Sequence, residues 1–283
     1  MLFRDEASIQ LATQITNYAP HQSADLIRAY FLLLKHELNL DSVTWMAAYK
    51  GKYGSAKSPE RKLLSGWLAF DMIRLDTDEK PFNRKTEYVV RAIAQGEPDP
   101  LTAACIKAMG KTRTHKMFDC LPGGEQSTHW MREFHASFNV YDRMLGACSI
   151  SPCCESIILA DRNRENVVFS DEDEKKLLYL VQIYKRIHYW IMLERGLTRH
   201  DTNPLTPVEK NVLQLLLQGE SDKMIARKLE YEYSTTRSYI QSILRKFKVS
   251  SKMELVLLWY QDIGTPVPIS KLPILLTDYT NYF

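Results

Sequence analysis

The residues in this chain best suited to chemistry are cations. Between Tyr233 and Lys252 lie Arg237, Arg245, Lys246, Lys248 and Lys252 with no acid among them, a local charge of +5. The chain as a whole carries 37 basic and 34 acidic residues, a net +3, so its overall balance says little about partners. The positive charge is concentrated where polyanion phosphates could be met. Two other groupings invite chemistry. Cys148, Cys153 and Cys154, with His129 and His135, raise metal or redox chemistry, but their spacing matches no zinc pattern, and adjacent cysteines beside strands read as small buried hydrophobes. The aromatics Trp45, Trp67, Phe70 and Trp130 are candidates to line a ligand pocket, with core packing as the plainer reading. No Ser/His/Asp or Cys/His set can be assembled, so the expectation is a protein that is not an enzyme, with no cofactor and no metal.

These residues need elements to hold them. At 283 residues the chain suggests two domains, each with room for a core. Five cysteines with no C-x-x-C spacing read as free thiols in a reducing, cytoplasmic compartment. The N-terminus lacks the apolar stretch of a signal peptide, and no apolar run reaches the ~20 residues that span a bilayer.

Residues 23–38 read as a helix capped by Ser23, 43–49 as a strand, and 65–75 as ambiguous between the two. Short helices are expected at 85–94 and 98–109, and a helix with an aromatic face at 126–138. Residues 50–64 read as a basic loop and Leu121–Gly124 as a turn. Strands follow near 143–150 and 155–161. Ser170 then caps one long amphipathic helix, 171–195, with four acids in its first turn, where the helix dipole favours them. We expect that helix to contribute to a homodimer.

The polar segment Thr198–Pro204 reads as a linker, and after it the punctuation becomes regular. Thr206-Pro207-Val208-Glu209 is a capping box with proline at the first helical position. Val212, Leu213, Leu216 and Leu217 form that helix's apolar face, and Gly219 ends it. Ser221 caps a second helix, with Met224, Ile225 and Leu229 facing inward. Glu230–Glu232 is a turn. A third helix, from about Tyr233 to Lys248, buries Ile240, Ile243, Leu244 and Phe247. A second capping box at Ser251–Glu254 opens a fourth, with Leu255, Leu257, Leu258 and Trp259 inward. Two short helices joined by a tight turn and flanked by supports form a helix-turn-helix layout.

The string LTPVEKNVLQLLLQGESDKMIARKLEYEYSTTRSYIQSILRKFKVSSKMEL resembles the LuxR-type (LuxR/FixJ) helix-turn-helix, whose LTP-x-E, LL-x-x-G, S-x-K-x-IA-x-x-L, ST-x-K/R and ILRK pieces occur in order without gaps. The resemblance implies a sequence-specific DNA-binding transcriptional regulator. It places Arg237, Ser238 and Gln241 towards the bases, where Arg237 suits guanine and Gln241 adenine. It places Lys223, Thr235, Tyr239, Arg245 and Lys246 at or beside the DNA backbone. The chain departs from the family at the turn glycine (Glu230), at two valines (Thr236 and Ser238) and at a histidine (Tyr239). A protein–protein regulator that keeps the fold without binding operators is the alternative.

Upstream, GWLAFDMI, the DPLT segment at Asp99–Thr102 and the FSDEDEKKLL ending resemble GAF-like sensory regions. No acidic cluster ends an early strand, as a phosphoacceptor domain requires. No G-x-x-x-x-G-K-[ST] loop occurs, and the aromatic/Asp-Pro pattern of acyl-homoserine-lactone domains is not convincingly present. The expected architecture is an α+β sensory and dimerisation domain at 1–197 (GAF/PAS-like, antiparallel sheet with helices), a linker at 198–204, an all-α four-helix module at 205–262 and a tail at 263–283. The expected partners are a double-stranded DNA operator, a second copy of the chain, RNA polymerase and a small-molecule ligand, with no membrane.

Overall fold

The computed structural model describes residues 5–50, 61–62, 67–75, 100–121, 139–163, 167–197 and 204–260; the side chains of 61, 62 and 68–71 lie outside the description. The helices expected at 85–94 and 126–138 lie outside the described residues, as do most of the basic loop, the turn after Leu121 and the linker at 198–203.

The N-terminal part opens with α1 (Glu6–Asn17), a short 3-10 turn (Pro20–Gln22) and α2 (Ser23–Leu38). α1 went unread in the sequence, although Asp5 caps it by accepting the Ser8 amide at 2.8 Å. Ser23 does not cap α2. It is the first helical residue, and its hydroxyl donates to Glu194 at 2.9 Å.

A six-stranded antiparallel sheet follows, built from β1 (Ser42–Lys50), β2 (Arg61–Lys62), β3 (Trp67–Leu75), β4 (Arg113–Lys116), β5 (Asp142–Ser151) and β6 (Cys154–Arg162) in the order β2-β3-β1-β6-β5-β4. The ambiguous 65–75 segment is thus a strand. β4 is too short for its own sequence to announce. Two small helices, α3 (Pro100–Lys107) and α4 (Met117–Cys120), flank β4, and α5 (Asp171–Ile183) and α6 (Lys185–Glu194) follow the sheet.

Alternation along the strands gives the sheet two apolar faces. Val43, Trp45, Ala47, Met144, Cys148 and Ile158 pack with α2, α5 and α6, while Met46, Ala48, Trp67, Leu145, Ala147 and Ile157 pack with α3 and α4. Gly146 on β5 permits a close approach of α5, because a Cβ there would lie 3.1 Å from both Leu177 and Val181. One buried polar chain crosses the first face. The Trp45 indole N–H donates to Ser156 Oγ (2.6 Å), which meets His188 Nδ1 (2.7 Å), whose Nε2 meets the Tyr30 hydroxyl (3.0 Å). Burial holds the His188 imidazole down to a pKa of about 3, so it is neutral.

Ser170 caps α5 as expected, in a reciprocal box with Asp173. The expected single helix 171–195 is two, broken at Tyr184 (φ −96°, ψ 22°). No proline or glycine marks the break. Tertiary contacts sit there instead, with the Tyr184 ring 5.4 Å from Tyr30 and His188 bonded into the sheet. Most of the apolar stripe of the two helices is spent on this core: Leu177, Leu180, Val181, Ile187 and Ile191 are buried within the chain, while Ile183 is exposed.

Four C-terminal helices complete the fold: α7 (Pro207–Leu217), α8 (Asp222–Lys228), α9 (Tyr233–Phe247) and α10 (Lys252–Leu257), closed by a 3-10 turn (Leu258–Tyr260). Their core is continuous with the first face of the sheet domain. The Trp190 indole donates to the Trp259 carbonyl (3.0 Å), Gln214 donates to Ser23 Oγ (3.2 Å), and the Leu205 amide bonds the Arg195 carbonyl (3.0 Å). Among the described residues no helix is long and apolar enough to cross a membrane.

Candidate nucleic-acid interface

Local hydrogen bonds start three of the four C-terminal helices. Thr206 Oγ1 accepts the Glu209 amide (3.3 Å), Glu209 reaches back to the Thr206 amide (2.7 Å), and Pro207 occupies the first turn. Ser221 Oγ accepts from the Met224 amide (3.3 Å), and Ser251 Oγ from the Glu254 amide (3.1 Å). The second half of the box at Ser251 does not form, because Glu254 instead takes the amide and hydroxyl of Ser250 at 2.8 and 2.6 Å. α9 is the exception. Glu232 stands at its N-cap without a side-chain bond, and no acid occupies its first turn.

The turn between α8 and α9 is made by Glu230 at φ 55°. That left-handed conformation favours glycine and costs an L-residue roughly 1–2 kcal/mol. At the expected glycine position Glu230 thus adopts the backbone conformation that glycine favours. The Tyr231 amide bonds the Ala226 carbonyl at 2.9 Å and closes the turn.

α9 divides cleanly. Thr236, Ile240, Ile243, Leu244 and Phe247 are buried, whereas Ser234, Thr235, Arg237, Ser238, Gln241, Arg245 and Lys248 are exposed. At 3.6 residues per turn, Ser234, Arg237, Ser238, Gln241, Arg245 and Lys248 form one stripe. The guanidinium of Arg237 and the carboxamide of Gln241 can each present paired hydrogen-bonding groups to a base edge. The Ser238 hydroxyl donates to the Ser234 carbonyl at 3.0 Å, so its oxygen remains available as an acceptor.

Of the backbone candidates, Lys223, Thr235 and Arg245 are exposed, and Tyr239 is half-buried with its ring 5.8 Å from that of Tyr231. Lys246 turns inward. Its ammonium bonds Glu209 Oε2 (2.7 Å) and the Pro204 carbonyl (2.9 Å), and Glu209 also accepts from Ser242 (2.7 Å). Burial pushes the Glu209 carboxyl up, but Lys246, the Thr206 amide and Ser242 outweigh it and hold the group below the usual carboxylate range. Lys252 pairs with Asp222. The local +5 is thus partly neutralised by acids from α7 and α8, which a count along α9 does not see. Two inward assignments are also corrected. Met224 is exposed, and Leu257 is 51% exposed, because α8 and α10 are one and a half to two turns long and present narrow buried faces.

The aromatic set does not converge. Trp45 and Trp67 are buried on opposite faces of the sheet, in separate apolar clusters. The Trp45 ring is spoken for by the Arg195 guanidinium, 4.6 Å from its centroid. The Phe70 side chain and Trp130 lie outside the described residues, as do His129 and His135. The thiols of Cys148 and Cys154 are each pushed up to about 12 by burial, which leaves them unreactive. Among the described residues no cluster of His, Cys, Asp or Glu could hold a metal ion.

Comparison with known proteins bears on the same helices. The family described as "Bacterial regulatory proteins, luxR family" matches residues 203–259. The nitrate/nitrite response regulator protein NarL of Escherichia coli (strain K12) is 38% identical over 68 residues, 24% of this chain and 32% of that protein. The transcriptional regulatory protein DesR of Bacillus subtilis (strain 168) is 41% identical over 56 residues, 20% of this chain and 28% of that one. The matches thus span about a third of the length of these curated relatives. Among solved structures, SdiA in complex with octanoyl-rac-glycerol aligns with a TM-score of 0.42 at 12% identity, covering 89% of this chain and 92% of that one. A crystal structure of Escherichia coli SdiA aligns at 0.38 and 13% identity, covering 89% and 94%. The capped helices, the tight turn and the sequence match coincide on one segment, and residues 203–259 are a luxR-family helix-turn-helix domain.

Proposed function

We propose that this chain is a transcription regulator that reads a double-stranded DNA operator with α9. The observation that carries the reading is the exposed stripe of Arg237, Ser238, Gln241 and Arg245 on a helix whose opposite face is core, within a luxR-family domain. Arg237, Ser238 and Gln241 read base edges. Lys223, Thr235, Tyr239 and Arg245 meet phosphates, and Lys246 sets the angle of α9 through Glu209. Residues 1–197 form a GAF-like sensory domain, 198–204 a linker, 205–262 the DNA-binding domain and 263–283 a tail. A signal or small-molecule ligand at the sheet domain modulates DNA binding, RNA polymerase is the downstream partner, and the protein works in the cytoplasm. The chain acts as a homodimer on two half-sites. Met253, Leu257 and Tyr260, exposed at i, i+4 and i+7, supply apolar surface for the second copy.

The test is a gel-shift titration with a duplex selected from a random pool, repeated at several salt concentrations. Affinity should fall steeply with salt as phosphates release counterions. Arg237→Ala should weaken specific binding by roughly 1–3 kcal/mol and relax one base preference. Negligible binding even at low salt would instead favour a protein–protein regulator that kept this fold, for which the exposed Glu230 and Glu232 beside α9 are the supporting feature.

A further inference from the structure

The entrance to α9 is ringed by tyrosines. Tyr233 is the first residue of the helix and is 45% exposed; Tyr231 precedes it and is 37% exposed. Tyr231 packs at a tilt against Tyr239, with ring centroids 5.8 Å apart and planes inclined by 46°. Among the described residues none of the three hydroxyls has a hydrogen-bond partner.

Their placement around the helix is specific. At about 100° per residue, with Gln241 as the centre of the stripe, Arg237 lies about 40° to one side and Tyr233 about 40° beyond it. On the other side Ser238 lies about 60° out, Thr235 about 60° beyond that, and Tyr239 further still. Tyr231, in contact with Tyr239, stands on this second flank. The exposed face of α9 is thus flanked by Tyr233 on one side and by the Tyr231–Tyr239 pair on the other. A helix seated in a major groove has one phosphate strand along each edge.

We propose that Tyr231 and Tyr233 are uncharged phosphate contacts, one for each DNA strand flanking the groove that α9 enters. This rests on the DNA-binding reading above. The local charge explains why phenols serve here. Glu230 and Glu232 are interleaved with the two tyrosines and make the turn locally acidic. A phenol is neutral at physiological pH and donates one O–H to a phosphate oxygen, with its rigid ring spacing that phosphate from the carboxylates. The consequence is a component of DNA affinity that does not scale with salt, because no counterion is released when a neutral donor replaces water.

The experiment uses the full chain with two probes, a duplex it selects from a random-sequence pool and a random-sequence 30-base-pair duplex, titrated across a salt series. Tyr231→Phe and Tyr233→Phe keep the rings and remove only the hydroxyls. Each should weaken binding to both duplexes by about ten-fold or more, the loss of one hydrogen bond to a charged group. The slope of log affinity against log salt should stay unchanged. Arg245→Gln, by contrast, should lower that slope by about one. Melting temperatures equal to wild type verify that the Phe variants fold. Phe variants that bind as wild type does, or that change the salt slope, overturn this inference alone. A wild-type chain that binds neither duplex at low salt removes it together with the function on which it rests.

Discussion

Thr236 occupies the buried face of α9 at 0% exposure, and its hydroxyl has no hydrogen-bond partner. Valine has the same branched shape and the same stiff χ1, so Thr236→Val exchanges one hydroxyl for one methyl in an unchanged space. Burying an unpaired hydroxyl costs roughly 1–3 kcal/mol on protein scales, and the new methyl adds about 0.8 kcal/mol of burial less whatever crowding it meets in the core. A net gain of about 1–2 kcal/mol is expected, read as a higher urea midpoint at constant slope in Trp-fluorescence melts. Thr236→Ser is the control. It keeps the unpaired hydroxyl, loses the methyl, and should cost about 1 kcal/mol. Thr236 faces away from Arg237, Ser238 and Gln241, so the valine variant should bind a selected duplex within about two-fold of wild type by the arithmetic of affinity. A valine variant no more stable than wild type would show that the hydroxyl is satisfied. A ten-fold change in DNA affinity would show that the two faces of α9 are misassigned.

Other perturbations test other joints of the fold. Glu230→Gly should stabilise the C-terminal domain by about 0.5–1 kcal/mol, since relief of the left-handed strain exceeds the added freedom of the unfolded chain. It should also tighten binding to DNA by removing an acid beside α9, both measured on the same preparation. Gly146→Ala should destabilise by about 1–3 kcal/mol, because its methyl meets Leu177 and Val181 at 3.1 Å; an unperturbed urea midpoint would show that α5 is free to move away. His188 has a folded pKa of about 3, far below the usual histidine value. Its contribution is intact above about pH 6.5 and is lost as pH falls from there towards 3, because the unfolded chain takes up the proton first, at about 1.4 kcal/mol per pH unit. His188→Asn should therefore flatten the stability–pH slope between pH 6 and 4 by one proton, whatever its effect on the level; an unchanged slope would place the imidazole in contact with water.

What could be read from the sequence was local. Caps are decided by residues three apart, so Ser170, Thr206, Ser221 and Ser251 were found where the structure has them. β5 and β6 stand where strands are expected near 143–150 and 155–161. The failures involve partners far along the chain. Nothing near Lys246 announces that its ammonium belongs to Glu209, 37 positions earlier, and so a lysine expected at a phosphate is bound inside the protein. Tyr184 breaks a helix that its neighbours would continue, in favour of contacts with α2 and the sheet. Trp45 and Trp67 look equivalent as aromatics, yet strand pairing sends them to opposite faces. The candidate site on α9 was legible because a helix with one buried face must expose the other; its charge was not, because charge is contributed by whatever packs alongside.

The way the helical domain is held constrains how it can be controlled. Its attachments are at the back: Gln214 of α7 to Ser23, the Leu205 amide to Arg195, and the closing turn to Trp190. The described residues of the sheet domain leave Arg237, Ser238 and Gln241 exposed. Among the described residues, the hydrogen bonds that join the two parts thus run through α7, the residue before it and the closing turn, not through α9. Arg195 stands at the crossing point. Its guanidinium lies over the Trp45 ring on the central strand, while its carbonyl holds the amide at which the helical domain begins. Trp45 is in turn bonded through Ser156 to His188 and Tyr30. A displacement of β1 transmitted along that path would reach the start of α7 before it reached any DNA-facing residue.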